Sequence, residues 1–155
     1  MGGSVAAHLA VRVKKYKMLI IENSFTTLRH MIIPMRILSG YLLYPLQLDG
    51  WETITQIKTL TQAPPTGLLD DQKKPPIVFL HSISDPRVNV KFSKMMYDEA
   101  AKDGIKVLRY ECNSTTHSCT DSPRYTNEII EIMAWAIDNA QSSHEILPSK
   151  NHKNV

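Results

Sequence analysis

The sequence predicts an α/β domain built on a parallel sheet. Three short apolar runs, inside KMLIIEN, IVFLHSISD and IKVLRYEC, alternate with segments of helical periodicity. Apolar runs without polar alternation suit strands buried on both faces, and strand–helix alternation suits a parallel sheet covered by helices. Gly- and Pro-containing stretches separate the runs and supply the breaks between elements.

Each element has its own signal. Gly2 to Lys15 reads as a helix, with Val5, Leu9 and Val13 along one side and Lys14 and Lys15 in the last turn. Met18 to Ile21 is the first strand, and Ser24 to Met31 the start of a further helix capped by Ser24 or Thr26. Pro34, Gly40, Pro45 and Gly50 interrupt the next stretch, and WETITQIKTL forms a small amphipathic turn or helix. QAPPTGLLDDQKKPP is a loop into the second strand, Ile77 to Ser82. VNVKFSKMMYDEAAKDG is a helix with Phe92, Met95, Met96, Glu99 and Ala100 in register and Gly104 as its C′ stop. IKVLRYEC is the third strand, CNSTTHSCTDSP a polar loop, and RYTNEIIEIMAWAIDNA a helix carrying Ile129, Ile132, Met133 and Ile137. Residues 141–155 are polar and aperiodic, a disordered tail. About three strands opened by a helix, with no strand before it, read as an architecture cut on its N-terminal side.

Composition narrows the function. At 155 residues the chain has the size of one ordinary domain. A net charge of +3, without a basic stripe interleaved with aromatics, argues against a nucleic-acid partner. The longest apolar uncharged run, Ile37 to Leu48, contains Pro45 and is too short to span a membrane; no secretory signal is visible. Cys112 and Cys119 lack the spacing of a metal site and read as two free thiols in a reducing compartment, a loop-stapling disulfide being the other reading. No metal or cofactor is expected.

In open parallel sheets chemistry gathers at the carboxyl ends of strands. Glu22-Asn23 ends the first strand, Ser84-Asp85 ends the second, and His117 lies in the loop after the third. An Asp and then a His at successive strand ends is the later part of a triad ordered nucleophile, acid, base. Each residue also has a plainer reading: Asp85 before Pro86 is turn chemistry, and His117 could be a surface histidine. His8, His30 and His81 are read as structural. Ser4 mimics a nucleophile but falls inside a helical register, and Cys119 is too close in sequence to His117 to serve it.

Four stretches carry a resemblance to a family. Met1-Gly2-Gly3-Ser4-Val5-Ala6 looks like the exit of a nucleophile elbow, and Leu19 to Thr27, LIIENSFTT, is similar to a family stretch LIIENTFTS. Ser84-Asp85 and Thr116-His117 are similar to its acid and base sites. Over about residues 1–140 the chain thus resembles the C-terminal half of an α/β-hydrolase of the Bem46-like group. It departs from that group at Val88-Asn89, where a Pro is usual, and at Thr115, where Gly is frequent. The resemblance implies Asp85 as triad acid, His117 as triad base and the backbone N–H of Met1 as half of an oxyanion hole. It also implies a lid-like insert over about residues 34–69.

The implied activity is hydrolysis of an ester, thioester or amide by a serine hydrolase. The serine itself is missing, so the chain is expected to be inactive alone. The expected partner is a small-molecule or lipid/acyl substrate, once an N-terminal half completes the site. The alternative is a noncatalytic pseudoenzyme or interaction module, with an oligomer covering an open sheet edge. The expected location is cytoplasmic, or membrane-associated through an anchor outside the chain.

Overall fold

The computed structural model describes residues 2–13, 16–27, 52–64, 74–114, 117–121 and 123–141. The elements run α1 (Gly2–Val13), β1 (Leu19–Glu22), α2 (Thr53–Gln62), β2 (Ile77–Ser82), α3 (Lys91–Ala101), β3 (Val107–Cys112), a 3-10 turn (Pro123–Tyr125) and α4 (Thr126–Gln141). The three strands form one parallel sheet in the order β1-β2-β3. Leu19 stands opposite Ile77, and Ile77 opposite Val107, so all three strands end on the same side of the sheet.

Alternation along each strand divides the core between two faces. Leu19, Ile21, Ile77 and Phe79 pack under α1, α2 and α3, against Ala7, Ala10, Ile57, Leu60, Met96 and Ala100. Ile20, Val78, Leu80, Leu108 and Tyr110 pack under α4, against Ile132, Ala136 and Trp135. Helices on both faces explain why every residue of β2 is buried.

The side of α1 that carries Val5, Leu9 and Val13 faces away from the core. Val5, Leu9 and Val13 are 41%, 51% and 56% exposed, while Ser4, Ala7 and Ala10 face the core. The cause is close approach: a Cβ on Gly3 would stand 2.6 Å from Cβ and Oγ of Ser24 and 3.0 Å from Cγ2 of Ile21. Only a face of small residues lets α1 lie that near β1, and proximity outweighs side-chain size in choosing the buried face. On α4, likewise, Ala136 and Ala140 are buried and Ile137 is exposed.

Boundaries shift elsewhere. Ser24 to Thr27 are not helical, so the helix expected there does not begin at Ser24. Gly104 has the positive φ (69°) of a helix-ending glycine, but Lys102 is the cap, which puts Gly104 one position beyond C′. Met1, Lys14, Lys15, His30, most of the 34–69 insert and residues 142–155 lie outside the described residues. Among the described residues no helix is long and apolar enough to cross a membrane.

Candidate active site at the strand ends

Asp85 is held by its own turn. It follows β2 after the turn residues Ile83 and Ser84, and its Oδ1 accepts hydrogen bonds from the backbone N–H of Arg87 (2.7 Å) and of Val88 (3.0 Å). Pro86 has a fixed φ that suits this tight turn. Turn chemistry therefore uses one carboxylate oxygen and leaves the other for a partner.

That partner is His117. Its Nδ1 lies 2.7 Å from Asp85 Oδ2, in a pair whose aspartate side chain is fully buried and whose histidine side chain is 37% exposed. A carboxylate only accepts, so Nδ1 carries the proton and Nε2 of the neutral ring is left as a base. The structure thus brings together the two residues that the sequence singled out from separate strand ends.

A third group stands beneath them. His81, on β2, is fully buried, and its Nε2 lies 2.9 Å from the Val88 carbonyl and 3.8 Å from Asp85 Oδ2. A carbonyl accepts, so Nε2–H donates, which ties β2 to the turn that grips Asp85. Burial pushes the His81 pKa down, against smaller opposing effects of the Val88 carbonyl and the Asp85 carboxylate. Phe25, Val88 and Phe92 form a small apolar cluster behind the same turn. Sequence reasoning read His81 as structural and missed this link; a histidine inside a wholly apolar strand was the available signal, because such a ring needs a partner.

His117 rides on a loop fastened from all three strands. Asn23, just past β1, donates from Nδ2 to the His117 carbonyl and accepts the Ser82 N–H at Oδ1 (2.8 Å). Its φ of 42° is left-handed, a conformation asparagine adopts more readily than most residues. Glu22 Oε1 accepts from Ser118 Oγ (3.0 Å), Cys119 N (2.7 Å) and Thr120 N (2.9 Å), and Oε2 accepts from Thr120 Oγ1 (2.9 Å). Ser82 Oγ donates to the Ser114 carbonyl.

A disulfide joins Cys112, the last residue of β3, to Cys119. The expectation of two free thiols is therefore corrected. Parallel pairing puts the end of β3 beside its own returning loop, with the two Cα atoms 5.9 Å apart, a proximity that seven-residue spacing alone did not reveal.

Two other nucleophile candidates are accounted for. Ser4 is buried in α1 with its hydroxyl bonded to that of Thr53, and Cys119 is in the disulfide. Among the described residues no group of three or more His, Cys, Asp or Glu is placed to hold a metal ion.

No protein-family model matches the chain, and no curated protein matches it. A solved structure does. The acylaminoacyl peptidase of Pyrococcus horikoshii superposes with a TM-score of 0.64 at 17% identity, over 96% of this chain. The fold is that of an α/β-hydrolase. The chain spans 24% of the peptidase's length, with three parallel strands and flanking helices.

Proposed function

We propose that Asp85 and His117 are the acid and base of a serine-hydrolase triad acting on an ester, thioester or amide. One observation carries the proposal: Nδ1 of His117 meets a buried carboxylate oxygen at 2.7 Å while the imidazole stays 37% exposed. That arrangement fixes the tautomer and leaves Nε2 to react. The nucleophilic serine comes from outside the described residues. As its oxygen attacks the acyl carbon, its proton passes to Nε2, and Asp85 stabilises the imidazolium. Nε2–H then protonates the departing alkoxide, thiolate or amine. A water, deprotonated by the same nitrogen, releases the acid and restores the serine.

The finer assignment to the Bem46-like group rests on LIIENSFTT. It gains interest because Glu22 and Asn23 of that stretch hold the His117 loop. A second reading, a noncatalytic interaction module, draws on the exposed apolar stripe Val5, Leu9 and Val13.

Hydrolysis of an activated aryl ester by native protein separates the two. Asp85→Asn keeps an oxygen for the Arg87 and Val88 amides but presents an NH2 to His117, favouring the wrong tautomer. It is expected to lower kcat about ten-thousandfold, with the fold intact. Hydrolysis unaffected by Asp85→Asn and His117→Ala would remove the triad assignment.

A further inference from the structure

We infer that Glu22 is a positioning residue for His117, acting through the loop that carries the base. The inference rests on the proposed acid–base pair and adds a residue to it.

A half-buried carboxylate at the end of β1 takes four hydrogen bonds, all from residues 118–120. Two of the donors are the consecutive backbone amides of Cys119 and Thr120, and two are hydroxyls. An ionised acceptor strengthens each of these bonds relative to a neutral one. The donors begin one residue after His117, so the grip sets where the chain leaves the base.

The neighbouring residue, Asn23, bonds the His117 carbonyl from the other side. Glu22 and Asn23 thus hold the chain at and just after the base. Only the side chain of His117 then remains to be placed, and Asp85 does that. A loop rich in Ser and Thr has little apolar surface to order it, so polar anchors must. The disulfide fixes the same loop at Cys119 from β3, but it does not reach β1. Glu22, with Asn23 beside it, ties the loop across the sheet to the end of β1.

The test is nuclear magnetic resonance of the 155-residue chain, following the His117 Nδ1–H resonance and its exchange with solvent. Glu22→Ala is expected to speed that exchange about tenfold or more, the factor for losing one bond to a charged acceptor. Glu22→Gln, which keeps an acceptor without the charge, should fall between Glu22→Ala and wild type. The Trp135 indole N–H, buried where α4 packs on the sheet, should not move in either variant, which separates positioning from general loosening. If Glu22→Ala does not fold, Glu22→Gln alone decides the matter. A folded variant with wild-type His117 exchange overturns the inference, and so does one in which Trp135 loosens equally. These outcomes depend only on the Asp85–His117 contact. A wild-type chain that shows the Nδ1–H resonance, from a native protein that hydrolyses no acyl substrate, would instead defeat the hydrolase reading and leave the positioning result standing.

Discussion

His81 shows what burial does to a titratable residue beside the Asp85–His117 pair. Its Nε2–H is used on Val88, and its Nδ1 is buried with no partner. Protonation would place both a charge and an unsatisfied N–H in the interior, and desolvation accordingly lowers the pKa below 6.5. Asp85, His117 and Arg109 are the ionisable groups that act on it. The folded pKa lies below the unfolded one, so between the two values the unfolded chain binds more protons. The stabilising contribution is therefore present above pH 6.5 and lost progressively as pH falls. Thermal melts should show Tm dropping on mild acidification, and His81→Gln, which keeps a donor for Val88, should flatten that part of the profile. An identical profile in the variant would show that His81 is not the group titrating.

Two features belong to the scale of elements. Gly3 sets the spacing of α1 from β1, because a methyl there collides with Ser24 at 2.6 Å. Gly3→Ala should destabilise the chain by about 1–3 kcal/mol, the usual range for overpacking, read as a lower urea midpoint at unchanged slope. A neutral substitution would mean that α1 can slide along the sheet. The disulfide between Cys112 and Cys119 closes a short loop, so the chain-entropy account gives it about 2–3 kcal/mol. Urea titrations with and without a thiol reductant measure that contribution directly. Equal midpoints would show that Glu22, Asn23 and Ser82 already fix the loop without the bridge.

The molecule as a whole joins three strand ends into one site, and this explains what could be read in advance. The parallel sheet was legible because Met18 to Ile21 and Ile77 to Leu80 are apolar without alternation and alternate with helical segments, whereas Val107 to Cys112 carries Arg109 and Glu111 and is only half-buried. The meeting of Asp85 and His117 was legible because parallel strands put their ends together, whatever the distance along the chain. Three things were not legible. The buried face of α1 depends on how near it comes to β1, so the larger side chains Val5, Leu9 and Val13 misled. The bridge depends on where the loop returns. The grip of Glu22 on residues 118–120 spans most of the described chain and has no local periodicity to reveal it.

The central claim is that the Asp85–His117 pair serves a serine. The most direct test treats the native protein, isolated from its own cells, with a fluorophosphonate probe and locates the adduct by mass spectrometry. The account predicts a single modified serine, with labelling lost in His117→Ala and greatly slowed in Asp85→Asn. A folded native protein that takes up no probe, or labelling that survives both substitutions, would contradict it.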